Sequence, residues 1–172
     1  MFRKATVADI DRIEELYHEI HTEEEAGNTS VGWIRSVYPT RQTAESAVAA
    51  GDMFVLEEDG LVVAAARINK EQVPEYEQAA WSLQAVPEDV LVLHTLVVSP
   101  KEKGKGYGTR FVRFYEETAR QMGCRHLRMD TNAKNAVARA LYRKLGYKEV
   151  SVVSCVFNGI PSVLLVCLEK IL

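Results

Sequence analysis

Cysteine is scarce in this chain: three residues in 172, an odd number. Cys124, Cys155 and Cys167 show no C-x-x-C spacing, so neither a disulfide framework nor a zinc or dithiol site is expected, and they read as free thiols in a reducing cytoplasm. No apolar run approaches the roughly 18–20 residues that span a bilayer. The opening MFRKATVADIDRI lacks the apolar core of a signal peptide, so a cytoplasmic protein without a membrane partner is expected. Positive charge is not in excess, with 21 Lys and Arg against 24 Asp and Glu and a net charge of −3, which leaves no footprint for nucleic acid. Histidine is rare too, with four in all. His18 and His21 lie three apart beside Glu14 and Glu25, yet no third ligand accompanies them, so a solvated helix face is expected rather than a metal site. Repeats, low-complexity segments and linkers are absent, and 47% of the residues are hydrophobic. One domain over 1–172 with a single substantial core follows.

Helical spacing of Ile10, Ile13, Leu16, Tyr17 and Ile20 predicts a first helix, with Thr6 or Asp9 able to cap it. TRQTAESAVAAG predicts a second, closed by Gly51. Two apolar runs around Asp59-Gly60 predict a hairpin, and a second hairpin is expected around Asn158-Gly159. LVLHTLVV reads as a strand ended by Ser99-Pro100, HLRMDT as another, and KNAVARALYRKLG as a helix stopped by Gly146. Residues 70–90 carry no clear period and predict a long connection with a short helix inside it. The sum is a mixed α/β domain.

GKGYGTRF, residues 104–111, places three glycines at alternate positions between that strand and a helical pattern. Glycine there costs conformational entropy, so something must need the bare backbone. A helix N-terminus presents unpaired N–H groups and the positive end of the helix dipole, which together bind phosphate. Lys101, Lys103, Lys105 and Arg110 surround the loop and suit such a ligand. The stretch has no Walker sequence, and its G-x-G-x-G spacing is one residue short of a dinucleotide fingerprint, so a nicotinamide-nucleotide oxidoreductase remains a lesser alternative.

LVVSPKEKGKGYGTRF resembles the acetyl-CoA-binding signature of the GNAT acetyltransferase superfamily, and NAKNAVARALYRKLGY resembles its second signature. Lys101 stands where the family has Arg or Gln, a position that works mostly through backbone. The resemblance implies a mostly antiparallel sheet of six to seven strands flanked by about four helices, and transfer of acetyl from acetyl-CoA to an amine. It implies that the pyrophosphate sits on the amides of Gly104, Lys105, Gly106, Tyr107, Gly108 and Thr109, with Lys103 beside them. It also implies that Leu96, Val97 and Val98 splay from a neighbouring strand at a bulge and pair with the pantetheine arm, with Asn135 contacting the same arm. Tyr142, seven residues after Asn135, aligns with the general acid for the departing thiolate.

The reaction also needs a proton acceptor, because an alkylamine with a pKa near 10 is almost wholly protonated at pH 7. His94, two residues before the cofactor segment, ranks first because imidazole titrates near neutrality. Asp130 ranks second, where some relatives carry a catalytic glutamate. A backbone N–H near Val98 is the expected oxyanion donor. The family's layout brings the acceptor, a small-molecule or protein amine, in between the first two helices and the 70–90 connection. There Glu23, Glu24 and Glu25 could attract a cation, and Trp33, Tyr38 and Trp81 could wall a pocket. No metal is required, and a homodimer is compatible with all of this. A non-catalytic acyl-CoA sensor on the same fold is the main alternative.

Overall fold

The computed structural model describes residues 1–82 and 84–172. Its strands are β1 (Phe2–Lys4), β2 (Met53–Glu58), β3 (Leu61–Asn69), β4 (Val90–Val98), β5 (His126–Asn132), β6 (Lys148–Phe157) and β7 (Ile160–Ile171). Its helices are α1 (Ile10–Glu25), α2 (Arg41–Ala49), α3 (Tyr107–Gln121) and α4 (Ala136–Lys144). The strands form one sheet in the order β1-β2-β3-β4-β5-β7-β6. Only β4 and β5 run parallel, joined by the α3 crossover, and the other neighbours are antiparallel.

The entry to α1 is fixed locally. Thr6 N donates to Asp9 Oδ2 at 2.7 Å, and Arg3 grips both oxygens of Asp9 at 2.8 Å. The Arg3 hydrogen bonds hold the Asp9 carboxyl down at about 2. The apolar face of α1 (Ile10, Ile13, Leu16, Tyr17) then packs with Ala44 and Ala47 of α2 on one face of the sheet. The opposite face carries α3 and α4, with Phe111, Val112 and Tyr115 against Leu91 and Leu93.

Strand β4 breaks its own alternation. Val90 and Val92 face the first side and Leu91 and Leu93 the second, as period 2 requires. Ala65 then pairs with Val97 while Arg67 pairs with His94, so two residues, Thr95 and Leu96, oppose Ala66 alone. This bulge reverses the parity, and Val97 joins the α1 side. Pairing of β4 with β5 ends at Leu93–Met129, so the last residues of β4 have no strand on that edge.

The connection between β3 and β4 holds the expected short helix, as a 3-10 helix, and a second one beside it. They span Pro74–Gln78 and Pro87–Asp89, each opened by a proline. With no apolar period to pack, side chains from the sheet tie it down. Ala80 N donates to Ser151 Oγ at 2.6 Å, Ser82 N donates to Glu169 Oε1 at 2.9 Å, and the Arg128 guanidinium lies 4.1 Å from the centre of the Trp81 ring.

Candidate active site

The glycine loop is open backbone. Gly104 (φ +86°) and Gly106 (φ +75°) take the left-handed conformation that side chains disfavour, and Gly106 caps α3. A Cβ at either would meet nothing within 4 Å, so the fold's own packing does not demand glycine there. Gly108 differs: its Cβ would lie 3.3 Å from Leu141 Cδ2, where α3 approaches α4. The first bond of α3 is Arg110 N to Gly106 O at 3.0 Å. Among the described residues, the N–H groups of Gly104, Gly106, Tyr107, Gly108 and Thr109 therefore have no protein acceptor. Lys101 pairs with Glu19, Lys105 with Glu102 and Arg110 with Glu58. Glu19 also accepts Ser99 Oγ at 2.6 Å and Arg12 at 3.1 Å, which moors the end of β4 to α1.

Where β4 and β5 part, a cavity of about 460 Å³ opens through the sheet. His94, Leu96, Asp130, Asn135 and Tyr142 all line it. Tyr142 comes from α4 on the far face and reaches the cavity because the strands have separated. Val97 points into the core instead, and only its backbone is available. Asn135 also has a structural task, since its side chain accepts Ala138 N at 3.1 Å and caps α4. The glycine loop lies outside this cavity, beyond the end of the unpaired β4 edge.

The titratable groups on the wall are strongly shaped by burial. Burial, helped by the positive Arg67, pushes the His94 imidazole down to about 4, and its Nε2 lies 3.0 Å from Asn69 Oδ1. Burial lifts the Asp130 carboxyl to about 6, against a 2.7 Å hydrogen bond donated by Tyr76 and with the negative charge of Glu75 adding to the rise. Burial and the Asp130 charge raise the pKa of Tyr142 and keep its hydroxyl protonated.

Several neighbours of the site were not legible in the sequence. Thr95 has φ +53°, a strained setting for a β-branched residue, and its Oγ1 hydrogen-bonds the Tyr38 hydroxyl. Tyr17 and Arg67 also line the cavity, though the first reads as core and the second as an outward strand residue. Trp33 and Tyr38 do wall it, packed edge to face at 6.1 Å. Trp81 does not, because it packs edge to face with Tyr76 and under the Arg128 guanidinium over the neighbouring part of the sheet. The acidic run is turned inward on its own loop: Glu24 accepts Val31 N and Gly32 N, and Glu25 pairs with Arg35. His21 is buried with Nε2 3.1 Å from Tyr38 O, and among the described residues no three His, Cys, Asp or Glu gather as a metal site.

Comparison with known proteins bears on the family and the fold. The family model described as acetyltransferase (GNAT) family matches residues 10–147. Streptothricin acetyltransferase of Streptomyces lavendulae is 30% identical over 84 residues, 49% of this chain and 41% of that protein, so the match spans less than half of the relative. A GNAT-family acetyltransferase structure from Streptococcus agalactiae superposes with a TM-score of 0.84 at 24% identity, covering 100% of this chain and 95% of that one. The yncA structure from Salmonella typhimurium, solved with its cofactor acetyl-CoA, gives 0.70 at 19% identity over 99% of this chain and 92% of that one.

Proposed function

The chain belongs to the acetyltransferase (GNAT) family, and from that premise we propose that it moves an acetyl group from acetyl-CoA to a primary amine by direct attack on the thioester. One observation carries the reading. A single unpaired strand edge links five free N–H groups at the glycine loop to a cavity walled by Asp130 and Tyr142.

The residues fit the co-substrate. The amides of Gly104 and Gly106 to Thr109, with Lys103 and Lys105 beside them, suit its pyrophosphate. The free edge at Leu96–Val98 and the amide of Asn135 suit its pantetheine arm. Bound there, acetyl-CoA supplies an activated acetyl group at the mouth of the cavity. Ser99 N donates to Val63 O across β3, so strand alternation turns the Val98 N–H to the unpaired edge, where it can face a developing oxyanion.

Asp130 takes the role of general base, ahead of His94. With a pKa of about 6 it is roughly nine-tenths ionised at pH 7 and close to the operating pH, which favours proton transfer. His94, held at about 4 and engaged with Asn69, is neutral but a weak proton acceptor. Tyr142 keeps its proton and can give it to the departing thiolate. The test is thiol release from acetyl-CoA across a panel of amines, beside thermal shifts with CoA and NADH. Turnover together with a CoA shift is expected. A CoA shift without turnover on any amine would leave an acyl-CoA binder, and a shift with NADH alone would overturn the reading.

A further inference from the structure

The cavity is lined by unsatisfied polar groups of opposite kinds. Tyr17 is 1% exposed and its hydroxyl has no hydrogen-bond partner among the described residues. Arg67 Nε, also in the lining, is likewise buried and has no partner among the described residues. Buried donors without acceptors are uncommon and costly, so a ligand atom at this place would relieve them. The other side of the Arg67 guanidinium meets Glu71 at 2.5 Å and Asp52 at 3.5 Å. Both contacts are made by Nη2, which leaves Nε without a partner among the described residues. Of the opposite kind, Glu75 lines the cavity with no ion-pair partner among the described residues, and Asp130 accepts only the Tyr76 hydroxyl.

The sheet sets the distance between the two kinds. Arg67 lies opposite His94 on β3, while Asp130 follows Met129, which pairs with Leu93 on β5. The two residues flank β4, about 10 Å apart at the backbone by two strand spacings, and their side chains enter the same cavity.

We propose that the acceptor is a zwitterion of the amino-acid class, its carboxylate bound by Tyr17 Oη and Arg67 Nε and its ammonium presented to Asp130 beside Glu75. A carboxylate supplies the acceptor that the orphaned donors lack, and an ammonium would meet the two carboxylates that lack a cation. An amine without a carboxylate leaves the donors unmet. An acidic compound without an amine meets Glu75 and Asp130 with like charge. The assignment rests on the transferase reading above.

The test compares amino acids of different amine-to-carboxylate spacing with their carboxamides and their decarboxylated amines, at saturating acetyl-CoA. In the unaltered protein, at least one amino acid should exceed its decarboxylated partner in kcat/KM by roughly 10- to 100-fold, as expected for hydrogen bonds to a charged group. In Arg67→Gln that ratio should collapse toward unity, mostly through KM. Tyr17→Phe should lower it by a smaller factor while leaving the melting temperature in place, because the lost hydroxyl bonds to none of the described residues. Decarboxylated amines that equal or surpass every amino acid would overturn the proposal while leaving the transferase intact. So would ratios unmoved in both variants. Calorimetric titration of amino acids into the CoA-saturated protein covers the case in which nothing turns over. Binding weakened by Arg67→Gln would uphold the carboxylate site, and no binding of any zwitterion would end it.

Discussion

The glycine loop and the cavity are built in opposite ways. The loop comes from one contiguous stretch, and its working atoms are backbone N–H groups left unpaired in the open. The cavity draws on α1, α2 and the loop between them, β2 to β5, the connection before β4, α4 and the β6–β7 hairpin, and its working atoms are side chains whose protonation burial has reset. A backbone site depends on which residues can adopt its conformation and leave it clear. A side-chain site depends on single atoms and their neighbours. The first should therefore fail through glycine replacement, and the second through changes that leave shape intact.

The largest effect should come from Asp130→Asn, which keeps the shape and removes the base. Turnover at pH 7 should fall by roughly 100- to 10,000-fold, the usual contribution of a general base, while CoA affinity stays within about twofold. In the unaltered protein, kcat/KM should rise with pH through an inflection near the Asp130 pKa of about 6, and the variant should lack that inflection. An inflection that persists in Asp130→Asn and disappears in His94→Gln would restore His94 as the base. Next in size, Tyr142→Phe should slow turnover by roughly 10- to 1,000-fold with little change in cofactor affinity, since only the donating hydroxyl is lost. Turnover within twofold of the unaltered protein would mean that the thiolate leaves unaided.

The loop needs a pair of variants. Gly106→Val forces a β-branched residue to φ +75° and costs stability as well as ligand space. Gly106→Asn tolerates that backbone and still puts a side chain where the phosphate would lie. Both should weaken CoA binding by roughly 10- to 100-fold, the worth of one or two charge-assisted hydrogen bonds, and only the valine variant should melt markedly earlier. Full CoA affinity in Gly106→Asn would show that the loop serves another purpose.

The same contrast explains what could be read from the sequence. Strand, glycines and helix were legible because each is a local pattern, and so was the placement of Asn135 and Tyr142, one capping α4 and the other on it. Trp81 was misplaced because an aromatic in an aperiodic connection gives no sign of which part of the sheet it will cover, and Arg128 on β5 decides it. Thr95 was invisible because LVLHTLVV is apolar on both sides of the His94-Thr95 pair, so it carries no period 2 whose reversal would mark the bulge. The order of the two candidate bases depended on burial, which no spacing reports: His94 looked better poised from its free pKa, and its surroundings move it away from neutrality as they move Asp130 toward it.

That opposition gives the smallest and most specific expectation, in stability rather than rate. His94 is depressed on folding, from its ordinary value near 6.5 to about 4. Between those values the unfolded chain binds a proton there and the folded chain does not, so its contribution, fully present above 6.5, is lost as pH falls toward 4. Asp130 is raised, from 3.8 to about 6. Across that interval the folded chain holds a proton that the unfolded chain has released, so its contribution is present below 3.8 and lost as pH rises toward 6. Near pH 5 the two states bind equal numbers of protons at this pair, and the two slopes cancel. Removing either residue should expose the other. His94→Gln should melt at a higher temperature near pH 4.5 than near pH 6, relative to the unaltered protein, and Asp130→Asn should do the reverse. Each uncancelled group contributes about 1.4 kcal/mol per pH unit, or a few degrees of melting temperature in a chain of this size. Calorimetric melting of the three proteins across pH 4–6.5 reads the result. Parallel curves would mean that neither side chain is shifted by the fold, which would remove the ground for ranking Asp130 above His94.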